Sequence, residues 1–397
     1  MAFLAIAALL LAQLHAAPIS SCRLPNKSTN PDVALGFPRI PNRMTSTGLR
    51  NFTILFVDFS DAPASLSPAD FFAEVTNATS FFDAASFGAL EAVYSPFLET
   101  LRMPNASTAY TFSDFYAQRD YLTTATSLAA ARGWDFSYAD SVVVMAAKTT
   151  KALLYGPAFC AEPNAGYKAG TKYLENSATS GADFWVWQPL GRWSNHELGH
   201  TMGLVDLYAF SGNGEFRYTG EWSIMSNING RAPGAFLHIM RAPSPPPSLH
   251  SLRNPPMKFL GYFAWERWLL GWLPDTAVAC EDASTEVILA PLNNPAPFDA
   301  QRLAVVLRSA TTALCIEYRT VDGVDSQLPK EGVLVSLIDT AIATGEGVIK
   351  VLPIDDADES KLSVTLASGE SLTFEGVTVM NTGLDPRGYA RVTITVS

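Results

Sequence analysis

Apolar residues along the chain fall into short dense runs between polar turns, and the kind of run changes partway. Residues 53–59 and 141–146 are continuous stretches of β-branched and aromatic side chains, the pattern of strands buried on both faces. Between them Ser67-Pro68-Ala69-Asp70 reads as a helix start: serine to cap, proline in the first turn, and an acid to complement the dipole. A second helix is expected from Ser113 to Arg132, with Gly133 as its stop. Strands alternating with helices predict an α/β arrangement. Residues 161–181, rich in glycine, serine and asparagine, read as loop, and Phe184-Trp185-Val186-Trp187 as an edge strand above a cleft, or as aromatic core packing. Residues 257–270 are apolar nearly all round and predict a buried helix. From Thr285 onward only strand patterns remain, at 287–289, 303–307, 314–318, 333–335, 348–351, 362–366 and 392–396. Turn residues separate them at short intervals, which predicts a β-rich C-terminal region.

The composition adds limits. With 48% apolar and 16% charged residues the chain is globular, and a net charge of -11 without a basic cluster argues against nucleic acid as a partner. Residues 1–17 form an apolar run ending in small residues, too short for a membrane span, and read as a cleavable secretion signal. No later run approaches bilayer thickness, so the expected product is extracellular with no membrane span. Four Asn-X-Ser/Thr acceptors, at Asn26, Asn51, Asn77 and Asn105, suit a secreted glycoprotein. The four cysteines, Cys22, Cys160, Cys280 and Cys315, predict two disulfides, with Cys280–Cys315 and Cys22–Cys160 favoured among three connectivities. Cys22 has a second reading, as a thiolate that holds a metal site latent.

The chemistry concentrates in His196-Glu197-Leu198-Gly199-His200, followed by Gly203 and Asp206. Residues four apart share a helix face, so two imidazoles meet at one spot and can hold zinc, while Glu197 reaches a water in the open metal position. Gly203 sits where the helix should stop and turn back, returning Asp206 to the metal. Ser194 or Asn195 is the expected cap. Glu266, buried if residues 257–270 are a helix, needs a partner: Arg267 or solvent at the helix rim is the plain reading, and zinc, with Glu266 as alternative third ligand, is the other. His238 is read as structural and His250 as an exposed loop histidine in the proline-rich stretch 243–256. Asp355, Asp356 and Asp358 read as a solvated acidic turn, with calcium the alternative, because their spacing matches no full calcium loop.

With these residues in hand, the sequence resembles the immune-inhibitor-A-type secreted zinc metallopeptidases. The stretch from His196 to Tyr208 is also similar to the active-site stretch of snapalysin-type enzymes. Further segments carry the likeness: residues 54–61, Ala264-Trp265-Glu266-Arg267 leading to Leu270-Gly271-Trp272, and Ile316-Glu317-Tyr318-Arg319 followed by Asp325 and Gly332. The resemblance implies a zincin-like α/β (α+β) catalytic domain with an active-site helix, with Asp206 as third ligand and Met225 as the methionine of the turn beneath the metal. Two departures stand out. Asn227 occupies the place where some related enzymes carry a tyrosine, which leaves Tyr208 and Tyr218 as the candidate oxyanion stabilisers. About thirty residues precede the first predicted strand, which speaks against latency by a long propeptide.

The expected organisation is therefore a signal at 1–17, a lead-in at 18–50, a catalytic domain at 51–275 and a β-rich domain at 276–397. The expected activity is hydrolysis of peptide bonds in extracellular proteins, with one catalytic zinc held by His196, His200 and Asp206 and Glu197 as general base. A secreted glycoprotein with a structural or vestigial zinc site and a binding role is the competing class, and a zinc amidase acting on a non-peptide amide shares the chemistry. Oligomeric state is not written in the sequence.

Overall fold

The structure, a computed structural model, describes residues 17–76, 80–112, 114–187, 192–211, 217–226, 260–295, 298–326, 328, 330–354 and 364–397. Expectations for the leader at 1–16, Asn77, Asn227, His238, His250 and Asp355, Asp356 and Asp358 fall outside those residues. What is described is a mixed α/β molecule, and no described helix is long and apolar enough to cross a membrane.

The first sheet is built from β1 (Gly48–Asp58), β2 (Leu90–Arg102), β3 (Ser141–Ala146), β4 (Ala158–Cys160) and β7 (Asn176–Thr179), with β5 (Tyr167–Ala169) and β6 (Lys172–Leu174) forming a separate hairpin. Its order is β2-β1-β3-β7-β4, parallel except for β4, which runs antiparallel along β7. Side chains alternate across it: Phe52, Ile54 and Phe56 enter one apolar cluster and Leu55 and Val57 the other. Both faces are covered, which is why residues 53–59 read as an unbroken apolar run. The helices begin with α1 (Ile19–Cys22), α2 (Pro68–Thr76), α3 (Phe81–Ala85) and α4 (Phe115–Ala131). Ser67 Oγ accepts the N–H of Asp70 at the start of α2, and Asp114 caps α4 by accepting from Ala117. Gly133, at φ 86, follows the end of α4.

A second sheet, in the order β13-β12-β11-β10-β8, is formed by β8 (Val278–Glu281), β10 (Leu303–Leu307), β11 (Thr312–Arg319), β12 (Gly332–Asp339) and β13 (Ile349–Val351). A third, β14-β15-β16-β9, contains β9 (Thr285–Leu289), β14 (Ser371–Phe374), β15 (Val377–Leu384) and β16 (Ala390–Val396). One face of the second sheet meets the third through Val306, Ile316, Val335, Val379 and Ile394. Its other face, through Leu303, Val305 and Leu334, joins the same cluster as the helices beneath the first sheet. Those helices include α6 (Arg192–Thr201) and α7 (Ala264–Leu269), preceded by α5 (Ala182–Trp187). The helix that carries the two histidines is therefore packed in an apolar layer shared by the first and second sheets.

Several expectations change. Phe184–Trp187 lies in α5, not in an edge strand: the Asp183 carboxylate accepts from Gly181, Phe184 and Gly156 N–H groups and organises a helical turn, and periodicity alone does not separate a short apolar strand from a helix. Of the two edge strands, β2 and β4, the one beside the histidine helix is β4. The stretch 161–181 contains β5, β6 and β7 rather than loop alone. The expected helix 257–270 is described from Leu260 and is helical only over Ala264–Leu269. Gly261 accepts from Ile224 N–H and donates to Asp325, so its backbone bonds go to distant partners and leave the helix to start later. Ser194 and Asn195 lie inside α6 rather than capping it.

The disulfide also differs from expectation, for it joins Cys22 to Cys280, with Cα atoms 5.8 Å apart. In register Cys280 pairs with Val305, and Val305 pairs with Cys315. Cys280 and Cys315 therefore sit two strands apart, about 9–10 Å, beyond the reach of a bridge. Cys160 and Cys315 are free thiols. Peptide mapping without reduction is expected to return Cys22 and Cys280 in one linked fragment, with Cys160 and Cys315 alkylated after unfolding; a linked Cys160 peptide contradicts this. Replacing Cys22 and Cys280 together by serine is expected to lower unfolding stability by about 2–5 kcal/mol.

Candidate metal centre

Three side chains converge at the C-terminal end of α6. His196 Nε2 lies 3.0 Å from Asp206 Oδ1, His200 Nε2 lies 3.2 Å from the same oxygen, and the two Nε2 atoms are 3.1 Å apart. Among the described residues they form the one His/Cys/Asp/Glu group compact enough to hold a metal ion. A tetrahedral ion with bonds of about 2.0–2.1 Å holds its ligands about 3.3 Å apart, so the observed triangle fits such a site.

The tautomers follow from the other ring nitrogens. His196 Nδ1 lies 2.9 Å from the carbonyl of Ile224, and His200 Nδ1 lies 2.8 Å from the carbonyl of Leu204. Carbonyls only accept, so each Nδ1 carries its proton and each neutral ring turns a lone pair toward Asp206. Three electron-rich atoms at hydrogen-bond distance call for a cation between them, a metal ion or a proton. Without a metal, burial works against a charged His200, but the Asp206 carboxylate more than reverses this and pushes its pKa up to about 9. Burial likewise works against a charged Asp206, and the two imidazoles overcome it and hold the carboxyl well below its usual range.

The local chain explains the convergence. Gly203 has φ +100, a region that side chains other than glycine rarely enter. There the N–H of Gly203 donates to His200 O and that of Leu204 to Gly199 O, a Schellman ending that also brings Leu204 O under the ring of His200. The remaining terminal carbonyls are met by the lead-in: Met44 N–H donates to Thr201 O, Ala34 N–H to Gly203 O, and Arg39 Nη1 to both Met202 O and Met44 O. Nothing in the sequence marked Arg39 for this task.

Beneath α6 lies Met225, fully buried. A Cβ on Gly199 would stand 2.7 Å from the Met225 sulfur, so the glycine inside the motif is needed for this close approach. Met225 sits on the loop 222–226, which also supplies the Ile224 carbonyl. Arg319 pins this loop by donating to Trp222 O, and Ser223 Oγ donates to Glu266 Oε2 at 2.8 Å. Arg319 is itself held by Glu317 and a two-bonded pair with Asp325, all buried, while Asp325 also accepts from Gly261 and Glu317 from Ala264. Segments that looked family-like in the sequence thus meet in one buried network behind the histidines. Glu266 belongs to that network: its carboxylate is turned to Ser223 and the N–H of Phe263, and burial pushes its pKa up to about 7. It is not brought into the triad, and Asp206 is.

Glu197 is 9% exposed and accepts a 2.8 Å hydrogen bond from the N–H of Ala158 in the edge strand β4. Burial raises its pKa to about 7 against the pull of His196 and His200, with Asp183 and Asp206 adding to the rise. The free Cys160 on β4 donates its thiol to His200 O at 3.4 Å, whereas Cys22, buried in the disulfide, is not a ligand. Of the two tyrosines, Tyr208 lies with its ring 6.1 Å from that of His196, and Tyr218 is occupied by Arg217 and lies beside Lys350.

No known family and no curated protein matches the chain. Among solved structures it is similar to the crystal structure of metalloproteinase-II from Bacteroides fragilis, with 16% identity and a TM-score of 0.27, over 53% of this chain and 55% of that one. The match spans about half of that protein's length.

The metal-free site has a defined pH signature. Because the folded His200 binds a proton up to about pH 9 and the unfolded one only to 6.5, its contribution is full below 6.5 and is lost as pH rises through 9. Glu197, raised from 4.5 to about 7, has the same sign and acts earlier. The melting temperature of chelator-treated protein is expected to fall between about pH 6 and about pH 9, with added divalent metal restoring more stability at the alkaline end, where the ligands are already deprotonated. A rising curve in the absence of metal contradicts the assignment.

Proposed function

We propose that the protein is a zinc metallopeptidase that cuts peptide bonds in extracellular proteins. The observation that carries this reading is the triangle of His196, His200 and Asp206 with a carboxylate, Glu197, on the same helix and outside the triangle. A purely structural zinc site needs no such base and is usually closed by four protein ligands, whereas three ligands leave a position open. Zinc, when bound, supplies Lewis acidity that polarises a carbonyl and lowers the pKa of water toward about 7.

The chain's own residues do the rest. His196 and His200 are aimed by Ile224 and Leu204, and the Asp206 carboxylate would offset part of a bound cation's charge. Glu197 takes the proton of the attacking water and passes it to the leaving amine, a task suited to a carboxyl whose pKa lies near neutrality. The edge strand β4 supports a polypeptide as substrate. The Pro157 carbonyl accepts from Thr179 N–H of β7 and the Ala161 N–H donates to Glu175 O just before β7, so by the alternation of an antiparallel ladder the backbone groups of Ala158 and Cys160 point to the other side, where Ala158 N–H meets Glu197. An extended peptide laid along that edge by strand addition runs past the general base. Export from the cell is supported by the Cys22–Cys280 disulfide, a bond that persists in oxidising compartments.

Replacing Glu197 by glutamine is expected to leave zinc content at one equivalent while casein or gelatin cleavage falls by at least about 100-fold, the scale of a lost general base. Chelation of the wild type should abolish cleavage and zinc should restore it. Cleavage by E197Q at the wild-type rate defeats the assignment; zinc uptake by a wild type that cleaves nothing points to the vestigial-site glycoprotein instead.

A further inference from the structure

Two of the three converging side chains stand on α6 and are aimed by carbonyls. Asp206 stands beyond the helix on a stretch without regular structure, and what holds that stretch comes from 138 residues further along the chain. The N–H of Asp206 donates to Oγ1 of Thr344 at 2.9 Å. Its carbonyl accepts from the N–H of Gly345 at 3.0 Å, and the N–H of Phe210 donates to Gly345 O at 3.1 Å. Thr344 and Gly345 lie in the turn joining β12 to β13. The same turn seats two aromatic rings: a Cβ on Gly345, at φ +72, would stand 2.2 Å from the Phe210 ring, and one on Gly347 2.8 Å from the ring of Tyr218.

We propose that Thr344 is a positioning residue of the metal centre, fixing through the Asp206 N–H the direction in which the Asp206 carboxylate faces His196 and His200. The proposal rests on the metal reading above. The physical argument is that hydrogen bonds at the N–H and the carbonyl of the ligand residue fix the backbone from which its carboxylate is projected, and partners of this kind tune metal affinity without touching the ion. A β-branched residue is suited to the task, because its χ1 is stiff and its hydroxyl stays where the N–H needs it. Valine fills the same volume with no acceptor, and would leave the Asp206 N–H unpaired beside the site.

The test is zinc affinity of the full chain, measured by competition with a chromophoric chelator for wild type, T344V and T344S. T344V is expected to bind zinc about 10-fold more weakly and T344S within about 2-fold of wild type. Should T344V not fold, T344A takes its place with the same expectation. Wild-type affinity in T344V, or equal losses in T344V and T344S, overturns the proposal while the metal reading stands. A wild-type chain that binds no zinc overturns the metal reading, and this inference with it.

Discussion

A peptide carbonyl accepts a hydrogen bond and cannot donate one, and the site depends on that asymmetry. With Ile224 O against one Nδ1 and Leu204 O against the other, each neutral ring has only one way to place its proton, and both lone pairs must face Asp206. The carbonyls are placed by quite different means. Leu204 is set locally, by the left-handed residue at Gly203 that reverses the chain within one turn of the helix. Ile224 is set at a distance, because its own N–H donates to Gly261 and its loop is held by Arg319 and Glu266.

That distant support is a buried cluster of charge. Glu266, Arg267, Glu317, Arg319 and Asp325 are all buried. Burying so many charges yields little net stability even when they are paired, but removing one partner from such a group typically costs about 3–5 kcal/mol. The cluster's value lies in direction. Its carboxylates and guanidinium groups accept from or donate to backbone at Trp222, Gly261, Phe263 and Ala264, and so fix the path of two loops behind His196. The strand that supplies Glu317 and Arg319 is β11, deep in the second sheet, so the β-rich part of the chain is in direct contact with the site's supports.

Much of this was legible in the sequence, and the reasons are local. His196 and His200 share a face because they are four apart on a helix, and the return of Asp206 follows from a glycine at the helix end. The buried strands β1 and β3 announced themselves as unbroken apolar runs. What the sequence concealed depends on tertiary partners. Phe184 and Trp185 are apolar enough for a strand, but the Asp183 carboxylate, shared among three N–H groups, organises a turn at the start of the segment. β15 runs through Asn381 and Gly383 with a bulge between them, which hid its alternation. Cys22 pairs with Cys280 because α1 packs on the second sheet, a placement that no spacing of cysteines encodes. Glu266 was rightly expected to be buried, yet its partners, a serine and a helix-start amide, come from a loop and a helix boundary that periodicity could not locate.

The lead-in carries an obligation of its own. Ala34, Arg39 and Met44 answer the last carbonyls of the histidine helix, and Trp265 and Trp272 anchor their indole N–H groups on Leu35 and Ser46. Any maturation that trims the chain from its amino end must therefore stop short of Cys22, whose disulfide to Cys280 already ties the lead-in to the second sheet. A cut beyond residue 34 would in addition strip acceptors and donors from the floor of the molecule at once.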